Sequence, residues 1–286
     1  EIPDEVFDLN EVPEIMRGAD ICIDLYNPMI YMSVGNTSPL GFSINADITA
    51  YNGSDEYGVH LGNPDADAAD AVYVAADSRS EFVVSRRQVQ NLAQGQKNIV
   101  IPQFGDIIKK IPESISIHDI RVESETESAV IRPGSEYSAS VSYRMTTPLA
   151  FDKDFYINYS VDVENLDLYL EDARVKSAEI RMNLINSLPV DFNISAKCLD
   201  SDGNVRNDIT VTLNDSIKAG THETPVDNAL VIRLDNASAE LNISALRLTL
   251  EASTANPDMA GVCLNRNQGF EIKDVVIALP DGVGVN

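Results

Sequence analysis

The chain contains 286 residues, 45 of them acidic and 21 basic, and its formal charge at pH 7 is −24. This charge argues against a nucleic-acid partner, because contact with phosphate requires clustered lysine and arginine. No apolar run reaches the roughly 18 residues of a membrane-spanning helix, so none is predicted. The length exceeds what a single hydrophobic core usually supports, which favours two domains.

The beginning of the chain is strongly acidic, with Arg17 as its one basic residue before Asp20. This composition is typical of a solvated segment, and residues 1–19 are predicted to form an acidic tether. The chain starts at Glu1 rather than at an initiator methionine. We therefore expect that a targeting segment has been removed, and that any membrane attachment is through an N-terminal lipid anchor that this chain lacks.

Alternation of apolar and polar residues predicts β-strands along most of the chain. It occurs at residues 21–25, 30–34, 42–48, 137–145, 155–163, 192–198, 209–213 and 246–250, with further strands predicted at 115–122 and 270–279. One face of each alternating strand is polar, which indicates antiparallel sheets with one solvated face. Helical spacing is limited to residues 88–94 and 105–110. The fold class predicted is therefore all-β.

A sequence repeat relates the two halves of the chain. Residues 30–53 align without a gap to residues 180–203, with eight identities in 24 positions. Chance would give on the order of one or two. The identities are Ile30/Ile180, Met32/Met182, Asn36/Asn186, Pro39/Pro189, Phe42/Phe192, Ile44/Ile194, Ala46/Ala196 and Gly53/Gly203. Each copy is interpreted as an antiparallel hairpin closed by an N-x-x-P turn, after which Phe42 or Phe192 should point into the core.

A polar run at residues 123–128, followed by Arg132-Pro133-Gly134, indicates a boundary between two domains. Residues 20–130 are predicted to form the first β-sandwich repeat. Residues 131–286 are predicted to form the second, with an extra N-terminal hairpin at residues 135–165. Regularly spaced short strands favour two immunoglobulin-like or fibronectin-like sandwiches.

Two groups of segments resemble known families. The segment NPMIYMSVGNTSPLGFSINADI, at residues 27–48, resembles late-embryogenesis-abundant type 2 domains, which have fibronectin-like sandwiches. Two later segments, IRMNLINSLPVDFNISAKCLDSDGN and GVCLNRNQGFEIKDVVIALPDGV, resemble repeats of Gram-negative, gut-commensal cell-envelope lipoproteins. Some of those lipoproteins are labelled adhesion proteins. The resemblance implies a fold and a location at the cell envelope, periplasmic or on the outer-membrane surface. It carries over no functional residue, since the matching positions are turn and core residues.

The sequence predicts no catalytic, cofactor-binding or metal-binding residue. His60, His118 and His222 are too far apart for a recognisable zinc motif, and no G-x-S-x-G nucleophile motif occurs. The three cysteines cannot all pair within the chain, and Cys198 lies in phase with a predicted core face. We expect Cys198 to be a small buried apolar residue. No cofactor is expected.

Two acidic loops are weighed as calcium sites. Residues 200–204, DSDGN, depart from the EF-hand order, and their Asp-Gly pair favours a hairpin turn. Residues 63–70 contain Asp65, Asp67 and Asp70, which offer oxygens to calcium. A solvated insertion loop is the alternative interpretation of that segment.

Three functions fit these features. The first is a non-catalytic cell-envelope protein that acts as an adhesion module, a binding module or a spacer, with a protein or glycan as its surface partner. The second is a carrier that holds an apolar ligand in a β-lined groove. The third is a glycan-binding protein, for which ten tyrosines would have to replace the absent tryptophan.

Overall fold

The structure is a computed structural model that describes residues 4–8, 20–62, 72–126, 128–164, 176–213, 216–236, 241, 244–254 and 256–280. Within these ranges the chain is almost entirely β, as predicted, and it divides into two compact units. No helix in the described ranges is long and apolar enough to cross a membrane.

The first unit contains two sheets in which most neighbouring strands are antiparallel. Its strands are β1 (Glu5–Asp8), β3 (Met29–Asn36), β4 (Phe42–Asn52), β5 (Asp55–Leu61), β6 (Val72–Val74), β7 (Ser78–Ser85), β8 (Gln96–Val100), β9 (Ser114–Ser124) and β10 (Ala139–Thr146). One sheet has the order β1-β9-β4-β5, with β6 also paired to β4, and the other has the order β10-β3-β7-β8. Strands β7 and β8 pair in parallel. A short 3-10 helix, Pro102–Ile108, follows β8.

The second unit repeats this layout. Its strands are β2 (Ile21–Cys22), β11 (Tyr156–Glu164), β12 (Ser177–Asn186), β13 (Asp191–Leu199), β14 (Thr210–Leu213), β15 (Ser216–Ile217), β16 (Val226–Asp235), β17 (Ala245–Ser253) and β18 (Phe270–Ala278). One sheet has the order β15-β13-β17-β11-β2 and the other β14-β16-β12-β18.

Each unit buries the core-facing side chains of both of its sheets. In the first unit, Val34 and Phe82 from one sheet and Ala46 and Ile48 from the other are almost fully buried. In the second unit, a single apolar cluster joins Leu184 and Leu230 to Ile194 and Leu246. Two sheets that share one core form a β-sandwich, which confirms the predicted fold class.

Seven strands of the first unit have an equivalent strand in the second. Equivalent strands occupy corresponding positions in their respective sheets, and the pairs are β1/β11, β3/β12, β4/β13, β6/β15, β7/β16, β9/β17 and β10/β18. The units differ in the strand that follows β4 in the first unit and β13 in the second. In the first unit β5 stays beside β4, whereas in the second β14 crosses to the other sheet and pairs with β16. The repeat found in the sequence is therefore also present in the structure, apart from this difference.

The interpretation of each repeated segment as a hairpin is wrong. Strands β3 and β4 are consecutive in the chain but belong to different sheets, and so do β12 and β13. The N-x-x-P turn carries the chain across the sandwich, from one layer to the other. Alternation defines a strand and its core face, but both strands of a crossover present apolar residues to the same core, just as both strands of a hairpin would.

The Asn of the first turn, Asn36, connects three segments of backbone. Its amide Nδ2 donates to the carbonyl of Leu40 at 2.7 Å and to that of Ala75, directly after β6, at 3.0 Å. Its Oδ1 accepts from the backbone N–H of Ser38 at 2.9 Å. The side chain thereby closes the turn and holds it against the end of β6.

Asn186 repeats this arrangement in the second unit. Its Nδ2 donates to the carbonyls of Val190 at 3.0 Å and of Lys218, directly after β15, at 2.9 Å. Its Oδ1 accepts from the N–H of Leu188 at 2.9 Å. Asn186 is 0% exposed, so these hydrogen bonds replace all contact with water. The identity of Asn36 and Asn186 in the alignment thus reflects an identical backbone task.

The predicted domain boundary near residue 130 differs from the structure. The units divide between Ala150 and Phe151, and Asp20–Cys22 belong with the second unit. The reason is β10, which pairs with β3 along its whole length and completes the first unit. The predicted extra hairpin at residues 135–165 is therefore not one element, because β10 and β11 lie in different units.

Two smaller predictions also change. Within the predicted tether, residues 5–8 form β1 and pair with β9, while residues 1–3 and 9–19 lie outside the described residues. Residues 88–94 contain no helix, and the helical spacing at 105–110 corresponds only to the end of the 3-10 helix. Short amphipathic spacing is weak evidence for a helix, because such segments form only when packing stabilises them.

The expected orientations of Cys198 and Phe192 are confirmed. Cys198 is buried in the core of the second unit, and Phe192 packs against the same core. Phe42 lies directly across from Val74, a fully buried residue, which places it on the core face of β4. Cross-strand partners share a face of the sheet, so the repeated Phe has the predicted direction in both units.

Candidate binding surface at the open edge strands

Strand β10 ends its sheet and leaves its core-facing side chains uncovered. Val141 lies directly across from Val34, and Tyr143 from Met32. These partners share the core side of the sheet, yet Val141 is 57% exposed whereas Val34 is 0% exposed. Every residue of β10 is exposed, although its alternation predicts a half-buried strand. Tyr143 does gain one aromatic contact, with Phe7 of β1 at 5.7 Å.

Strand β18 has the equivalent position and the same property. Ile272 lies across from Leu184, and Ile277 from Ile180, both of which belong to the core of the second unit. Ile272 is 60% and Ile277 68% exposed. Among the described strands, only β12 pairs with β18 and only β3 with β10. We refer to β10 and β18, with Val141, Tyr143, Met145, Ile272 and Ile277, as the open edges.

The second unit adds apolar surface from its other sheet. Tyr159 and Val161 of β11 lie across from Leu250 and Leu248, which pack against the core. Both are nevertheless exposed, and β2 pairs with only the first two residues of β11. Apolar side chains on the core side of a sandwich are normally covered by the opposing sheet. Each open edge therefore combines apolar surface with one side of its backbone that no described strand pairs with, the combination that adds a further strand in β-augmentation.

A bulge in β18 limits the pairing of this open edge with other strands. The pairing of β12 with β18 shifts register between Arg181 and Asn183, and Asp274 has a φ of +53° there. Bulges and charged side chains protect natural edge strands from uncontrolled pairing. Lys273 in β18 and Arg144 in β10 supply such charges, and Arg144 also stacks over Tyr31 at 4.6 Å. Pairing at these edges therefore requires a partner that fits.

Two of the three histidines lie on either side of Asp47 on the outer face of the first unit. His60 Nδ1 lies 2.6 Å from Asp47 Oδ1, and His118 Nδ1 lies 3.1 Å from Asp119 Oδ2. One ligand atom from each of Asp47, His118 and Asp119 lies within 4.8 Å of the others. Sequence spacing misses this group because Asp47 comes from β4 and the other two members come from β9, while the neighbouring His60 comes from β5. Only the cross-strand register reveals it.

Two ionisable groups near Arg206, the Cys198 thiol and the Asp208 carboxylate, have shifted pKa values. Burial raises the pKa of Cys198 to about 11, so the thiol is protonated at neutral pH. Hydrogen bonds from the Arg206 guanidinium lower the pKa of Asp208 to about 2. Arg206 binds Asp208 through two nitrogens, at 2.8 and 2.7 Å, and Asn236 donates to the same carboxylate. This network ties the segment before β14 to the end of β16.

The structure describes one of the two acidic loops that the sequence offers as calcium candidates, residues 200–204, but not the other, residues 63–70. The DSDGN segment forms the predicted turn, since Asp200 Oδ1 accepts from the backbone N–H groups of Asp202 and Asn204 and Gly203 has a φ of +79°. These hydrogen bonds also lower the pKa of Asp200. The calcium candidate with Asp65, Asp67 and Asp70 lies outside the described residues.

Comparison with known proteins identifies a similar fold. No protein-family model matches the chain, and no curated protein is significantly similar to it. A solved structure described as a "putative secreted protein" from Parabacteroides distasonis has a TM-score of 0.57 at 14% identity, covering 87% of this chain and 80% of that one. The VP2 subviral particle of infectious bursal disease virus gives a TM-score of 0.21 at 10% identity, covering 94% of this chain and 68% of that one. The first likeness supports the two-unit β fold, and the second is too weak to inform it.

Proposed function

We propose that this protein is an exported, non-catalytic protein of the cell envelope that binds a partner polypeptide along its open edges. The observation that carries the proposal is the equivalence of β10 and β18. Each is the edge strand beside the repeated crossover, and each exposes core-facing apolar residues. Contiguous exposed apolar surface on a folded protein marks an interaction site.

Export is supported by two independent likenesses. The Parabacteroides protein is described as a "putative secreted protein", and the sequence segments resemble envelope lipoproteins. Adhesion is the finer proposal within this class, because tandem sandwiches hold their binding surfaces at a distance from an attachment point. Of the four exposed tyrosines among the described residues, Tyr57, Tyr143 and Tyr159 lie on three different strands and Tyr137 lies just before β10, so these four supply no single aromatic row for a glycan.

Charge substitution on the open edges tests the proposal. We expect the immobilised wild-type chain to retain specific envelope proteins from the producing organism, and Val141→Asp combined with Ile277→Asp to lose them. A buried carboxylate in an apolar interface is strongly unfavourable. Because both positions are exposed in the free protein, the variant should keep the wild-type melting temperature within a few degrees.

Thr212→Asp is the matched control. Thr212 is an exposed residue of β14, at the opposite edge of the sheet that contains β18. The control should retain the same proteins as the wild type. Equal loss from Thr212→Asp, or undiminished retention by the double variant, would refute binding at the open edges. Retention of a lipid in place of a polypeptide would favour the carrier function.

A further inference from the structure

The register of three neighbouring strands concentrates imidazoles around one carboxylate. Asp47 of β4 lies directly across from His60 of β5 and from His118 of β9. Strand β4 lies between the other two, so the histidines flank Asp47 on both sides of the same sheet face. This face is the outer one, because the neighbouring residues Ala46 and Ile48 point into the core.

A bulge brings a second carboxylate to this face. The pairing of β4 with β9 shifts register between Asn45 and Asp47, and Asp119 has a φ of +51° at that place. Without the bulge, Asp119 would point to the face opposite His118, since successive strand residues alternate. Bulges often redirect a side chain beside a functional site. Here the Asp119 carboxylate turns toward His118 Nδ1, at 3.1 Å.

We propose that Asp47, His118 and Asp119 form a binding site for a divalent transition metal, with His60 as a positioning residue. Their ligand atoms already lie within 4.8 Å of one another. His60 holds the Asp47 carboxylate through its 2.6 Å contact. Partners of this kind orient the ligands in most protein metal sites.

The donor set selects the class of metal. A neutral imidazole with two carboxylates suits zinc and related borderline cations, whereas calcium and magnesium prefer oxygen ligands alone. Three protein ligands leave a fourth position for water. The side chains of Asp47 and Asp119 are substantially exposed and His118 is partly exposed, so an ion can enter from solvent.

The second unit shows that the fold itself does not require this cluster. The position equivalent to Asp47 is Lys197, which lies across from Arg247. Arg247 in turn binds Asp162 through two nitrogens, each at 2.7 Å. The positions of Asp47 and His118 thus carry two basic residues in the second repeat, Lys197 and Arg247, and Arg247 forms an ordinary surface ion pair. A structural role common to both repeats does not account for the two histidines.

Isothermal titration of the full chain with zinc chloride tests the site, with calcium chloride as the comparison ion. We expect one zinc per chain, no calcium binding at the same concentrations, and a zinc-dependent rise in melting temperature that EDTA reverses. His118→Ala should abolish measurable binding. His60→Ala should weaken zinc binding about tenfold, as loss of an orienting partner does.

His222→Ala is the matched control, because it removes the third histidine, which lies in the second unit. It should bind zinc like the wild type. The proposal fails if the wild-type chain binds no zinc at 0.1 mM, roughly the upper range of a weak specific site, or if His222→Ala and His118→Ala lower binding equally. Unchanged apo melting temperatures of the variants would exclude misfolding as the cause.

Discussion

Replacement of Asn186 by Ala is expected to lower the free energy of unfolding of the second unit by about 3 to 5 kcal/mol. The substitution removes hydrogen-bond partners from the carbonyls of Val190 and Lys218 and from the N–H of Leu188. Each buried polar group left without a partner costs about 1 to 3 kcal/mol. Urea denaturation of the full chain, followed by far-ultraviolet circular dichroism, measures the loss.

Asn183→Ala is the control on the same strand. Asn183 is exposed, and among the described residues its side chain contacts Asp274 at 3.3 Å, so its replacement should change stability by less than about 0.5 kcal/mol. Asn36→Ala should destabilise the first unit as Asn186→Ala destabilises the second, since the hydrogen bonds correspond. A loss below about 1 kcal/mol for Asn186→Ala would show that the turn does not depend on its side chain.

Replacement of Asp24 by Ala is expected to cost the first unit about 3 to 5 kcal/mol, because it removes one partner of a buried ion pair. The Asp24 carboxylate is fully buried, and Arg86 Nη1 donates to it at 2.7 Å and to the carbonyl of Leu25 at 2.9 Å. Gly105 permits this approach, since a Cβ there would lie 2.9 Å from Arg86 Cδ. The pair therefore joins the segment before β3 to the end of β7 and the 3-10 helix.

Urea denaturation at low and high salt checks this second expectation. The loss caused by Asp24→Ala should persist in 1 M sodium chloride, because solvent ions screen buried pairs weakly. Asp162→Ala removes the partner of Arg247 from an exposed ion pair and should have little effect at any salt concentration. If the two substitutions had equal effects, the Asp24 and Arg86 pair would contribute no more than a surface pair.

Sequence alone predicts the strands and the repeat, but it does not predict how the strands assemble. Alternation locates β4, β13 and β17 because each buries one face. It cannot distinguish a hairpin from a crossover, since both place apolar residues on the same core. The boundary near residue 130 fails for a related reason. The partner of β10 is β3, about a hundred residues earlier, and local composition does not indicate that pairing.

The candidate sites depend on tertiary structure still more strongly. The alternation of Val141, Tyr143 and Met145 predicts a half-buried strand, whereas the structure exposes all three. Their exposure accompanies the position of β10 at the edge of its sheet, which no local pattern encodes. The cluster of Asp47, His60 and His118 likewise arises from the register of three strands. Asn36 and Asn186 are the exception, because their identity in the repeat predicts a shared turn.

The most direct test of binding at the open edges is site-specific photo-cross-linking in the producing cell. A photoreactive residue at Ile277 would report on the core-facing side of β18, and one at Val276, across from Arg181, on the opposite side of the same strand. Thr212 on β14 provides the control position. An added partner strand contacts both sides, so we predict polypeptide adducts from Ile277 and Val276 and none from Thr212. Adducts of equal yield at all three positions, or a lipid adduct from Ile277 alone, would contradict the account.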